Sequence, residues 1–89
     1  MTITDVKVIL RSGDSLKAFV SIIIDNAFVI KNIKIIEGKN GLFISMPSLK
    51  NKNGEFRDIA HPLNSETRTE LEKLIFNKYN ETVQNEGKN

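Results

Sequence analysis

The sequence has no cysteine and no tryptophan, a single histidine and two prolines. Without cysteine there is no disulfide, thiolate metal cluster or cysteine nucleophile, and a cytoplasmic compartment is the simplest expectation. One histidine leaves no ligand set of recognisable metal spacing, and Asp5, Asp14 and Asp25 lie in or beside turns as ordinary solvated acids, so no metal or cofactor is expected. Apolar runs such as Ile22-Ile23-Ile24 fall far short of the roughly 20 residues that span a bilayer. Asp5, Lys7, Arg11 and Asp14 interrupt the N-terminal stretch, so neither a membrane span nor a signal peptide is expected. Aromatics are few, 7% of the chain.

What is present is a chain of 89 residues with 27% charged residues and a net charge of +2. That length holds one small domain, which by surface scaling buries only about 60 to 65% of its unfolded surface, so oligomerisation is open from the start. The charge is uneven. Lys7, Arg11, Lys17, Lys31, Lys34, Lys39, Lys50, Lys52 and Arg57 outnumber the acids between them, whereas acids outnumber cations over residues 58–89.

Hydrophobic periodicity predicts strands. Val6, Val8 and Leu10 alternate with Lys7 and Ile9, and Ser12-Gly13-Asp14-Ser15 punctuates them as a turn. Leu16, Ala18, Val20, Ile22 and Ile24 then fill one face of a central strand, with Lys17, Phe19, Ser21, Ile23 and Asp25 on the other. Asp25-Asn26 reads as the next turn. Over residues 27–37 neither face is clean, because Lys31 shares a parity with Val29, Ile33 and Ile35 while Lys34 shares one with Phe28, Ile30 and Ile36. Either both faces are partly buried or a bulge intervenes. Gly38-Lys39-Asn40-Gly41 is a turn, residues 42–46 read as a short strand stopped by Pro47, and residues 48–55 are polar and basic, an exposed mobile hairpin or loop with an Asn53-Gly54 turn. Residues 56–60 return as a short strand before His61-Pro62.

Asn64 or Ser65 supplies the N-cap of one helix over about residues 65–80, with Thr67 and Glu70 offering a capping box in another register. Leu71, Leu74, Ile75, Phe76, Tyr79 and Val83 form its apolar sector. The expected organisation is one domain over residues 1–80 and a frayed polar tail over 81–89. The fold class is α+β: an antiparallel sheet of four to five strands with one C-terminal helix. A single helix covers one face only, and leaving Phe19, Ile23, Ile33 and Ile35 wet on the other would expose several hundred Å² of apolar surface, so a symmetric homodimer through those residues is the expected cover.

Candidate chemistry is sparse. His61 with Asp58 and a serine such as Ser48 or Ser65 has the composition of a hydrolase triad, but no nucleophile elbow accompanies it, and a hydrogen-bonded structural histidine is the better reading; no enzyme is expected. Gly38-Lys39-Asn40-Gly41 precedes a strand and lacks the Lys-Ser/Thr pair of a phosphate loop. Lys50, Lys52 and Arg57 flank a turn, and Lys31, Lys34 and Lys39 lie nearby, a cationic strip that a dimer would double and that suits phosphate contacts. Phe43 and Phe56 are assigned to the core, and Tyr79 to the helix's apolar sector, so no aromatic stacking platform is expected.

The runs TDVKV, SIIIDNAFVIKNIKIIEG, GLFISMPS and above all GEFRDIAHPLNSETR resemble the SpoVG family, the stage V sporulation protein G or putative septation proteins of bacteria. The similarity runs from about Met1 to Tyr79. It implies a curved antiparallel sheet with a C-terminal helix, an intertwined homodimer, and a cytoplasmic regulator of septation, cell division and sporulation that binds DNA and RNA. It further implies basic contacts around the helix, at Arg57, Arg68, Lys73 and Lys78. A protein-interaction factor of the division machinery that does not itself bind nucleic acid is the alternative. Helical geometry separates the two arginines. If Phe56 points inward, Arg57 points to water and is free for phosphate, whereas Arg68 lies in the apolar sector with Asp58 as a carboxylate partner. Arg68 and Asp58 are therefore either a structural pair or part of the nucleic-acid contact.

Overall fold

The computed structural model describes residues 2–86; Met1 and residues 87–89, the end of the expected tail, lie outside the described residues. Its elements run β1 (Ile3–Leu10), β2 (Leu16–Ile24), β3 (Phe28–Gly38), β4 (Gly41–Ser45), β5 (Ser48–Lys50), β6 (Phe56–Asp58) and α1 (Ser65–Glu86). β1 to β4 form an antiparallel sheet in chain order, while β5 and β6 pair with each other in a second, two-stranded sheet. The fold is α+β as the patterning predicts, with the return strand ending at Asp58 rather than continuing to Ala60.

Turn chemistry closes the hairpins. Asp25 and Asn26 take φ values of 52° and 53°, and the Ala27 amide donates to the Ile24 carbonyl at 2.9 Å. This is the type I′ geometry whose twist matches the flanking strands, and Asp and Asn tolerate it better than most residues. The turn is also tied to the start of β1. The Thr2 amide donates to Asp25 Oδ1 at 2.8 Å and the Asn26 amide to Thr4 Oγ1 at 3.0 Å.

A bulge resolves the ambiguous third strand. Val20 pairs with Ile33 but Ile22 pairs with Ile30, so β3 carries one residue more than β2 between these rungs. Asn32 sits there at φ 65°, a left-handed conformation for which Asn is one of the few suitable side chains. The extra residue brings Ile30, Ile33 and Ile35 onto one face, although their numbering gives them different parities.

That face is the core. Val6, Ala18, Val20, Ile22, Ile33, Ile35, Ile44 and Met46 are buried against Leu71 and Ile75 of α1. The placement corrects two residues of the expected dimer interface. Ile33 lies opposite Val20 and Ile35 opposite Ala18, and paired residues share a face, so both are fully buried beneath the chain's own helix. Phe19 and Ile23 do lie on the far face, half-buried, beside Ile9, Val29 and Lys34.

Asn64 is the N-cap: its Oδ1 accepts from the Thr67 amide at 2.8 Å, and its carbonyl accepts the first helical bond from Arg68 at 3.1 Å. The helix continues past Asn80 to Glu86, so residues 81–86 are helical rather than a frayed tail. No Gly or Pro interrupts residues 80–86, and a Lys78–Glu81 pair at 3.6 Å links the preceding turn to the start of the extension.

The bulge yields a stability test. A β-branched residue in the left-handed region is strained, by roughly 1 to 2 kcal/mol, while glycine is not. Asn32→Val is therefore expected to lower unfolding stability by about that amount and Asn32→Gly to stay within about 0.5 kcal/mol of the parent. Equal denaturation midpoints for all three proteins would contradict the assignment.

Candidate nucleic-acid interface

The β5–β6 hairpin and the chain from it to the helix bring the site together. Pro47 and Met46 are buried where the chain leaves the main sheet, and the Ile59 amide donates to the Pro47 carbonyl at 2.8 Å, which pins the base of the hairpin. At its far end Asn51 organises the turn. Its Oδ1 accepts from the amides of Asn53 and Glu55 at 2.9 and 3.0 Å, and its own amide donates to the Glu55 carbonyl at 2.8 Å. Gly54 supplies the positive φ, 81°, that the turn needs. The basic stretch 48–55 is thus a hydrogen-bonded arm, with Lys50 on β5 and Lys52 in its turn, both exposed.

After β6 the chain crosses to the helix through His61 and Pro62. Pro62 lines an apolar recess with Ile22, Ile24, Ile30, Met46 and Leu71, so the crossing is held against the core. The His61 Nδ1 lies 2.9 Å from the Pro62 carbonyl, an atom that only accepts, so this nitrogen carries the hydrogen. The His61 side chain is exposed and bonds to the backbone of the next residue.

The consequence is a recess lined by Phe56, Arg57, Asp58, His61 and Arg68. The two arginines that helical geometry separates are walls of one site. Arg68 does not begin the buried sector: the buried stripe of α1 runs through Leu71 and Ile75, and the Arg68 side chain is 48% exposed at its margin. Nor does it pair with Asp58. Its partner is Glu72, one turn on, at 3.8 Å. The wheel failed because it reads angle and not position along the axis: Arg68 shares the angular sector of Ile75 and Tyr79 but lies in the first turn of α1, before Leu71, the first buried residue.

The other basic residues divide into two sets. Lys31 and Lys34 lie exposed on β3, with Lys34 beside Phe19 in a recess that also includes Asn32, Leu49 and Ile59. The helix lysines are elsewhere and have acids around them. Lys73 lines a shallow surface with Glu66 and Glu70, and Lys78 pairs with Glu81 and borders Asp5. Among the described residues the ion pairs are Lys17–Glu37, Arg68–Glu72 and Lys78–Glu81. Among the described residues, Lys31, Lys34, Lys50, Lys52, Arg57 and Lys73 have no carboxylate within 4.0 Å.

Phe56 is the residue that sequence reasoning misplaced. It is 71% exposed, and Phe43 is also exposed, so neither belongs to the core. A signal was available: side chains two apart share a strand face, and the neighbours of Phe56 at that spacing are Gly54 and Asp58, which give it no apolar partner. A cation–ring contact was not anticipated either. The Arg11 guanidinium lies 5.2 Å from the Phe19 ring centre and covers part of the sheet's far face.

Comparison with known proteins places this geometry in context. The family model SpoVG matches residues 1–81. A protein of Bdellovibrio bacteriovorus named "Putative septation protein SpoVG" is 53% identical over 98% of this chain and 81% of its own length. Proteins of the same name from Clostridium novyi and Myxococcus xanthus are 53% and 51% identical, over 98% and 89% of this chain and 92% and 80% of theirs.

The exposure of Arg68 decides what its removal does. An exposed i,i+4 ion pair contributes only about 0.3 to 0.5 kcal/mol, so Arg68→Ala is expected to shift the melting temperature by no more than a few degrees. A loss of several kcal/mol on denaturation would restore the buried-pair reading.

Proposed function

The chain belongs to the SpoVG family, and from that premise we propose that it is a non-enzymatic regulator of septation and cell division that binds DNA or RNA as a homodimer in the cytoplasm. The observation that carries the binding is a set of exposed cations that, among the described residues, lack carboxylate partners, Lys31 and Lys34 on β3, Lys50 and Lys52 on the arm and Arg57 on β6, with Arg68, whose contact with Glu72 is long, bordering the same recess as Arg57. Cations that no acid neutralises bind phosphate by releasing its condensed counterions, without reading sequence. The same strip on two copies related by a twofold axis doubles the charge presented to one polyanion. The acids around Lys73 and Lys78 make the helix lysines the weaker contributors.

The dimer rests on the far face of the sheet. Ile9, Val29 and Phe43 are exposed there and Phe19 and Ile23 half-buried, which supports a second copy as their cover. A second reading, a factor that docks another division protein, draws support from Leu49, Ile59 and Leu63, the last 90% exposed. Recovery of a division protein after nuclease treatment, with no oligonucleotide retained by the purified protein, would favour it.

A salt-titrated mobility shift tests the binding. Affinity is expected to fall steeply between about 50 and 200 mM salt, and the combined Lys50→Ala, Lys52→Ala and Arg57→Ala variant to lower the logarithmic salt slope by about 2 to 3. Binding indifferent to salt would refute the phosphate mechanism. For the dimer, Ile23→Lys is the informative variant, because Asp5 lies opposite position 23 in the ladder and accommodates a cation in the single chain. Sedimentation is expected to give a dimer mass for the parent and a folded monomer for Ile23→Lys. A parent that is monomeric at micromolar concentration would overturn the assembly.

A further inference from the structure

We propose that the recess beside β6 holds one unpaired nucleotide, with its base on the Phe56 ring and its phosphate between the Arg57 and Arg68 guanidinium groups, so that the protein prefers single strands to duplex. The inference rests on the nucleic-acid reading above and assigns it a site.

Successive side chains of a strand point to opposite sides, so Phe56 and Asp58 lie on one side of β6 and Arg57 on the other. All three line one recess, which therefore runs along the strand's edge. β6 pairs only with β5, so that edge is free. The Phe56 ring is 71% exposed, which leaves it open to a planar or apolar partner. The surroundings choose between those occupants. Lys50 is the cross-strand partner of Phe56, and Arg57 and Arg68 border it, so the ring is set among cations that a purely apolar protein side chain would leave unanswered. A nucleotide answers both needs: every base has a face for the ring, and every nucleotide carries a phosphate for the guanidiniums.

Asp58 fits the same arrangement. Its carboxylate shares the Phe56 side of the strand and, ionised, only accepts, so it suits the N–H edge of a stacked base and repels a second phosphate there. Glu72 is no obstacle, since its contact with Arg68 is long, at 3.8 Å, and exposed. A duplex keeps its base faces stacked on each other and cannot offer one to Phe56.

The test uses one oligonucleotide in three forms at one low salt concentration: single-stranded, annealed to its complement, and as an abasic strand of equal length. The parent is expected to bind the single strand at least about fivefold more tightly than the other two. Phe56→Leu is expected to remove that advantage while leaving duplex affinity and molecular mass unchanged. Because the chain has no tryptophan, Phe56→Trp adds a single indole that can be excited apart from Tyr79, and its emission is expected to be quenched by the single strand and not by the abasic one. Equal affinity for all three forms, or Phe56→Leu binding like the parent, overturns the stacking site while the phosphate reading stands. Loss of binding by Phe56→Leu together with a change in mass also overturns it and assigns Phe56 to assembly. If the parent binds none of the three forms, the nucleic-acid reading fails, and the site with it.

Discussion

Asn32, held in the left-handed region in the middle of β3, decides on which side of the sheet each isoleucine of that strand lies. On one side of the bulge Ile30 faces Ile22; on the other Ile33 faces Val20 and Ile35 faces Ala18. A strand without the extra residue would turn one of these groups out to solvent, because a one-residue slip inverts every side chain beyond it. The surface on which Leu71 and Ile75 dock therefore depends on this residue. The helix position in turn fixes where its first turn meets the His61-Pro62 crossing, and that meeting is what puts Arg68 beside Arg57.

The surface divides along the same line. Where acids accompany cations, on α1, the lysines are matched by neighbours on their own helix. On β3, the arm and β6, Lys31, Lys34, Lys50, Lys52 and Arg57 form no ion pair among the described residues, and exposed apolar groups lie on the same segments: Phe56, Leu49, Ile59 and Leu63. A surface that combines unanswered positive charge with uncovered rings and aliphatic groups suits a partner carrying both phosphate and flat apolar faces. The arm presents these groups on a turn that Asn51 holds by several hydrogen bonds, so little ordering entropy is spent when they meet a partner.

Most of the fold was legible from local pattern. Period-two patterning marked β1 and β2, Asp25-Asn26 marked a turn, and Asn64 or Ser65 marked the start of the helix. The mixed parity of residues 27–37 left two readings, both faces partly buried or a bulge, and gave a bulge no position. Its position depends on which rungs pair with β2, a long-range matter, and so Ile33 and Ile35 were placed on the wrong face. The site was half legible. Arg57, Lys50 and Lys52 were found as exposed cations near a turn, but Phe56 was assigned inward on hydrophobicity although Gly54 and Asp58 offered it no company. Arg68 was assigned inward on a helical wheel, which knows nothing of how far the helix overhangs the sheet. The end of α1 was missed because residues 81–86 have little to bury, and helix continuation there rests on the absence of a stop and on local pairs.

On the binding mode proposed above, nucleic acid meets this protein at the Arg57–Arg68 recess and the arm, not along the outer face of the helix. Backbone amide chemical-shift mapping, with a short single-stranded oligonucleotide titrated into isotopically labelled protein, reads that location directly. The largest shifts are expected over residues 50–58, His61 and the first turn of α1, with residues 73–86 nearly still. Shifts concentrated around Lys73 and Lys78, with the recess silent, would contradict it.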